Sequence, residues 1–332
     1  MRFVALLAKV LLSMALTLVL VDVAVRLMLP REPRLEDSFS AAYLQRAVRG
    51  DGLENRTVFV GDSALWGYRV GAGDAALTRL SHDGVPIENL SFEGGSVANS
   101  YALLRVLDVF GVRPKAFVFN VNLKEFNPAD NQYRTLYPAV EQLVWNDLSP
   151  AQRSLLTQTQ RQTLDARIDR AVSGVWALYG MRSDIREMLF GAADAAGAVA
   201  AVTHGLSGES ARYAASHKAT PDRFLGTYNL LALTDANVEV NFLRALAARL
   251  EREHIRAYAI LTPTNHGLLH DYIDVPEYDA QLSFVTRILK AQGIAVLNYD
   301  RAFAPSEFLD NDHLTTAGNA HLATLLRRDL PP

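Results

Sequence analysis

Five short runs rich in β-branched and aromatic residues, at 57–62, 87–92, 116–122, 257–263 and 295–300, alternate with longer amphipathic stretches. This alternation narrows the possible folds sharply. A strand buried on both faces reads as a near-continuous apolar run, and it reaches a parallel neighbour only through a crossover long enough to hold a helix. Strand, helix and strand in succession therefore predict βα units and a mainly parallel sheet with helices on both faces, a three-layer α/β/α sandwich. The stretches 97–110, 236–254 and 278–292 supply candidate helices, and Gly111 and Gly293 are placed to end two of them.

A chain of 332 residues that is 49% hydrophobic has ample material for such a core. Its net charge of -3, with no blocks of Lys or Arg, offers no footprint for a phosphate backbone and argues against a dedicated nucleic-acid binder. The absence of cysteine excludes disulfide scaffolds, thiolate zinc sites, iron–sulfur clusters and cysteine nucleophiles. It suits an oxidising compartment and is equally compatible with cytosol.

From Phe3 to Leu29 the chain is almost wholly apolar, broken only by Lys9, Asp22 and Arg26 among its charged residues, and Pro30 follows. At about 1.5 Å per residue, such a helix covers a hydrocarbon core of about 30 Å. No small-residue cleavage site follows the run, so residues 1–30 are expected to form an uncleaved membrane anchor rather than a signal peptide. Arg2 and Lys9 precede its centre and Arg26, Arg31 and Arg34 follow it, so positive charge alone does not set the orientation. Residues 31–55, which follow Pro30 and contain Pro33, are read as a solvated linker. Residues 56–330 then form the sheet domain. The interval 127–234 is too long for one crossover and is read as a helical insertion, with the Ala- and Gly-rich stretch 191–205 packing within a lid.

In open α/β sheets the ligand sits beyond the carboxyl ends of the strands. The first run ends in Gly61-Asp62-Ser63, which puts a hydroxyl on a strand-to-helix turn. The second leads into Gly94-Gly95-Ser96, where a backbone N–H can approach a ligand. The third closes on Asn120-Val121-Asn122, offering a side-chain amide. After the fifth comes Asp310-Asn311-Asp312-His313, in which a carboxylate three positions before an imidazole can hold one ring nitrogen and leave the other free as a base. Each segment taken singly is also an ordinary turn or cap.

In that order the four segments resemble the signature blocks of the SGNH hydrolases, the GDSL-type esterase superfamily, over residues 57–326. The resemblance implies a flavodoxin-like sheet, Ser63 as nucleophile, His313 as base and Asp310 as its partner. It implies an oxyanion hole made by the N–H groups of Ser63 and Gly94 and the amide of Asn122, with no metal and no cofactor. The sequence departs from the pattern where Ala64 precedes Leu65 and where Asn120 and Leu123 stand at the glycine and aspartate of the usual GxND block. The GxSxG motif of α/β-hydrolases is absent.

Asn265 and His266 end the fourth run on the same side of the sheet and are candidate substrate contacts, as is Trp66, which with Tyr68 could form a sugar-stacking wall beside Ser63. His266 and His270 have the spacing of a metal pair but lack a third ligand. Asp312 is read as a solvated loop residue, and His82, His204, His217, His254 and His321 as structural or exposed. An anchor joined to an SGNH-like domain with an insertion resembles envelope proteins of alginate O-acetylation and D-alanyl-lipoteichoic acid biosynthesis, which work beside a multi-spanning membrane O-acyltransferase. That layout implies a single-pass protein of the inner or cytoplasmic membrane, its domain in the periplasm or outside. It would act as an esterase or O-acyltransferase on O-acyl groups, acetyl above all, of a surface or exported glycan. A tethered small-ester hydrolase or lipase, and a non-catalytic scaffold of an acyltransferase complex, remain open alternatives.

Overall fold

The computed structural model describes residues 41–49, 52–130, 133–159 and 232–331, the stretches 12–14 and 16–23, and the single positions 9, 39, 168, 172, 176, 179 and 228. Five strands, β1 (Thr57–Val60), β2 (Ile87–Asn89), β3 (Ala116–Val121), β4 (Ala257–Leu261) and β5 (Ala295–Asn298), form one sheet in the order β2-β1-β3-β4-β5. Every pairing is parallel, with Thr57 opposite both Ile87 and Ala116, and Phe117 opposite Ala257.

Ten helices flank it among the described residues: α1 (Ala41–Val48), α2 (Ser63–Trp66), α3 (Ala76–His82), α4 (Val97–Val109), α5 (Pro138–Val144), α6 (Pro150–Leu155), α7 (Val238–Arg252), α8 (His266–Ile273), α9 (Pro276–Ala291) and α10 (Thr316–Asp329). The two-residue period of the strands sorts the core into two layers. Val58, Val60, Phe117, Phe119, Val121 and Leu261 face the layer that includes α1, α4, α5, α7 and α9. Phe59, Val118 and Ile260 face the opposite layer, with Leu77 and Leu80 of α3 and Leu322 and Leu326 of α10. Each fully buried Phe or Leu contributes roughly 1.5–3 kcal/mol. Gly111 and Gly293, both at φ 68°, follow α4 and α9, in the left-handed conformation that ends a helix without a Cβ clash.

All five strands begin where the sequence places them and end one to three residues early. The residues left over, among them Asp62, Asn122 and Asp300, turn away from the ladder at its carboxyl edge, where their polar groups find side-chain partners. The described residues 41–49 and 52–55 depart from the linker reading of 31–55: α1 packs with Leu44 and Val48 in the core against α5, and Leu53 is buried in the same core. The apolar period of 41–48 gives that helix a face to bury.

Positions 12–14 and 16–23 are helical, and the apolar side chains of Leu12, Met14, Leu16, Val19 and Leu20 are exposed. No helix among the described residues is long and apolar enough to cross a membrane. The rest of the expected anchor at 1–30, residues 31–38 of the connector, and most of the 127–234 insertion beyond residue 159, including 191–205, lie outside the described residues.

Candidate active site

In this strand order the topological switch falls between β1 and β3, and the crevice beyond their carboxyl ends is where a ligand is expected. From β1 the chain passes through Gly61 and Asp62 into the single turn α2, which Gly67 closes at φ 86°. Asp62 caps the turn, its carboxylate accepting from the N–H of Ala64 at 2.9 Å. Ser63, the first helical residue, has an N–H with no acceptor inside the turn. A Cβ on Gly61 would lie 2.0 Å from Oδ1 of Asn120, and one on Gly95 would lie 2.2 Å from the carbonyl oxygen of Gly61. Glycine at both positions lets the loops after β1, β2 and β3 close on one another.

The loop before α10 is fixed as tightly. Phe308 and Leu314 bridge its base, and the N–H of Leu309 donates to the carbonyl of His313 at 2.7 Å. Inside it, Oδ1 of Asp310 accepts from the backbone N–H groups of Asp312 at 3.2 Å and His313 at 2.9 Å. Both carboxylate oxygens of Asp310 lie 2.8 Å from Nδ1 of the His313 ring, and Nε2 lies 2.8 Å from Oγ of Ser63. The structure thus brings Ser63, His313 and Asp310 into one buried line across a sequence separation of 250 positions. Asn319 ties the same loop to α3: its Oδ1 accepts from the N–H of Ala76 at 3.1 Å, and its amide donates to the carbonyl of Leu314 at 3.0 Å.

Burial pushes the Asp310 carboxyl up, but the hydrogen bonds from the ring and backbone of His313 outweigh it and hold the group below the usual carboxylate range. Burial pushes the His313 imidazole down, and the neighbouring Asp312 and Asp310 carboxylates more than reverse this, leaving it above its ordinary value. A hydroxyl donating to an imidazole whose other N–H is held by a carboxylate can pass its proton to the ring as it attacks. Ligand atoms of Asp310, Asp312 and His313 lie within 4.8 Å of one another. Both ring nitrogens are already hydrogen-bonded, Nδ1 to Asp310 and Nε2 to Ser63, so an ion bound by the ring would have to displace one of them.

Asp312 is not a solvated loop residue. It is fully buried, its Oδ2 accepts from Nδ2 of Asn122 at 2.6 Å and pairs with the ammonium of Lys124, and its Oδ1 lies 3.4 Å from Nδ1 of His313. Lys124 comes from the 3₁₀ turn Leu123–Phe126 that follows β3. Sequence reasoning missed both residues; the available signal was a lysine two positions past a strand end on the ligand side of the sheet. Burial lowers the Lys124 pKa, and the Asp312 and Asp62 carboxylates raise it by more, so the ammonium keeps its proton. Glu125 beside it is raised well above the usual range by burial and by Asp62.

The other expected site residues are placed as follows. Gly94 sits in the turn after β2 at φ 77°, next to Gly95 and hence against the Ser63 loop. Asn122 stands at the site, but its amide already donates to Asp62 at 2.9 Å and Asp312 at 2.6 Å, so both hydrogens have carboxylate acceptors and an oxyanion would have to displace one. Asn120, at the glycine position of the usual block, donates to Asp62 at 2.7 Å and Thr262 at 3.0 Å and accepts from the Asp62 N–H at 3.1 Å.

The three candidate substrate contacts are also corrected. Trp66 is fully buried, on the inward side of α2, and presents no wall. Asn265 is buried as the cap of α8, accepting from Leu268 N–H at 3.1 Å and donating to the Asp310 carbonyl at 2.8 Å, so it supports the base loop. His266 has Nδ1 at 2.7 Å from Asp274 and Nε2 at 2.9 Å from Asp300, leaving no nitrogen for a ligand. Burial lowers its pKa and the two carboxylates raise it by more. Tyr68 is the aromatic residue that reaches the site: it is half-buried, with its ring centroid 4.4 Å from that of His313 and the Arg69 guanidinium 4.9 Å over it.

No family model matches the sequence, and no curated protein matches it. Among solved structures, the chain is similar to a lipolytic protein of the G-D-S-L family from Desulfitobacterium hafniense DCB-2, at 10% identity and a TM-score of 0.38, covering 83% of this chain and 99% of that one. It is also similar to the acetyl xylan esterase AlAXEase, at 12% identity and a TM-score of 0.39, covering 83% of this chain and 100% of that one.

Proposed function

We propose that the chain is a serine esterase of the SGNH type that removes O-acyl groups, acetyl above all, from a surface or exported glycan. The observation that carries this reading is the continuous hydrogen-bonded line from Ser63 Oγ through His313 to Asp310 at the carboxyl edge of a parallel sheet. Oγ attacks the ester carbonyl carbon while its proton passes to Nε2, and Asp310 stabilises the resulting imidazolium. The backbone N–H groups of Ser63 and Gly94 receive the developing oxyanion, each such donor being worth about 2.7–4 kcal/mol. The C–O bond to the alcohol then breaks as His313 returns the proton to it, and water attacks the acyl-enzyme by the same route in reverse. Tyr68 beside His313 places a half-buried aromatic ring at the edge of the site, where it can contact a sugar.

The exposed apolar helical positions between 12 and 23 support tethering of the domain to a membrane. The full-length protein, treated with a fluorophosphonate and with p-nitrophenyl acetate, is expected to label at Ser63 and to release p-nitrophenol, both abolished in Ser63→Ala. Acetylated polysaccharide should be a better substrate than a free long-chain ester. Absence of Ser63-dependent labelling would overturn the esterase reading. Release of acetyl to an added sugar rather than to water would reassign the same site to acyl transfer.

A further inference from the structure

Among the charged groups that face His313, Lys124 supplies the positive charge. From its own loop the ring faces Asp310 and Asp312; from the β1 loop, Ser63 and the Asp62 carboxylate; from the turn after α2, the Tyr68 ring; and from the turn after β3, Lys124. Burial and the Asp62 carboxylate push the Glu125 carboxyl well above the usual range, and burial and the nearby carboxylates push up the Tyr228 phenol, which accepts a hydrogen bond from Asn311 at 3.1 Å. Among the described residues, the Asp310, Asp312 and Asp62 carboxylates thus face the base, and the Lys124 ammonium, its side chain 13% exposed, is paired with the one that lies 3.4 Å from the ring.

An imidazole facing three uncompensated carboxylates would hold its proton through neutral pH and could not accept one from Ser63. Hydrogen-bond geometry gives Asp310 the ring N–H, so Asp312 acts on His313 through charge alone. We propose that Lys124 is a positioning residue for the reaction, its buried ammonium paired with Asp312 so that the His313 ring gives up its proton at a lower pH than it would facing the three carboxylates alone. This rests on the serine-esterase reading, and it assigns to the third strand's extension a role in setting the pH range of that site.

The test reads His313 directly. In the full-length chain with ¹⁵N-labelled histidine, and with the ring signal assigned through His313→Gln, the titration midpoint of His313 is followed by NMR. In Lys124→Met the midpoint should rise by about one pH unit or more, and in Asp312→Asn it should fall. The double variant Lys124→Met/Asp312→Asn should return toward wild type. The acid limb of fluorophosphonate labelling should move with the midpoint, making Lys124→Met about tenfold slower below both midpoints and near wild type well above them.

Midpoints unchanged by either substitution, or labelling slowed equally at every pH, would overturn the proposal. If Lys124→Met does not fold, Asp312→Asn and the double variant decide alone, since equal midpoints in those two remove any influence of Lys124 charge. If Ser63 of the wild type is never labelled, the esterase reading fails, while the NMR midpoints still decide what Lys124 does to His313.

Discussion

Asn122 donates to Asp312 across 2.6 Å although 190 positions separate them in the sequence. The same amide reaches Asp62 at 2.9 Å, so the residue before Ser63 and the residue before His313 hang from one side chain at the end of β3. The distance between nucleophile and base is thereby set by a third element that touches neither. In Asn122→Ala two buried carboxylates each lose a donor, and unfolding stability should fall by about 2–3 kcal/mol, with labelling at Ser63 falling alongside. Denaturant titration and labelling kinetics on the same variant separate this from an oxyanion role, which would cost activity and leave stability untouched.

Gly61 and Asn120 form a second coupled pair. The Asn120 amide lies where a Cβ on Gly61 would be, and it also clamps the backbone and carboxylate of Asp62. Gly61→Ala should cost about 2 kcal/mol or more through overpacking. Asn120→Gly should cost about 1–3 kcal/mol by leaving the Asp62 N–H without its acceptor. The double variant should be less destabilised than the sum, because the new methyl then fills the space the amide vacated. Strict additivity in thermal or denaturant unfolding would show that the two side chains do not compete for that space.

Much of this arrangement was legible because it is local or ordered along the chain. The five strand starts follow from apolar runs, and the Asp310 to His313 spacing by itself makes a turn that joins carboxylate and ring. The strand ends were overrun because apolar pattern continues past the point where Asp62 and Asn122 find side-chain partners instead of ladder partners. Asp312 was misread because its partners come from β3 and the turn after it, and a carboxylate in the polar run Asp310-Asn311-Asp312 has no local mark of burial. Trp66 was misplaced because a single helical turn gives no period from which to tell its inner face from its outer one.

Glu239 on α7 should make the stability of the fold depend on pH. Its Oε2 accepts from the N–H of Ala98 at the start of α4 at 2.8 Å, yet burial outweighs this and pushes the carboxyl up to about 8. A carboxyl whose folded pKa exceeds its unfolded value stabilises fully below the unfolded pKa of about 4.3, and that contribution is lost as pH rises toward the folded value. Glu239→Gln keeps the acceptor and cannot ionise. It should match wild type near pH 4, exceed it by a growing margin of a few kcal/mol up to about pH 8, and hold that margin above. Parallel unfolding curves at pH 4, 6 and 8 check this, and a margin constant with pH would refute ionisation as its cause.

Asp310→Asn tests the direction of the proton relay without disturbing the loop. Oδ1 of Asp310 accepts two backbone N–H groups, from Asp312 and His313, and an asparagine carbonyl can retain both. The amide then points its hydrogens at Nδ1 of the ring, which must present a lone pair to accept them. The ring proton is forced onto Nε2, facing Oγ of Ser63, and a nitrogen that already carries its proton cannot take another from the hydroxyl without becoming imidazolium unsupported by a carboxylate. Turnover of p-nitrophenyl acetate should fall by about 10³–10⁴ in kcat with KM little changed. Unfolding stability should change by less than the loss of a buried ion pair, since Lys124 and Asp312 keep one another. A variant that retained wild-type kcat would mean that His313 is oriented by the backbone and Asp312 alone.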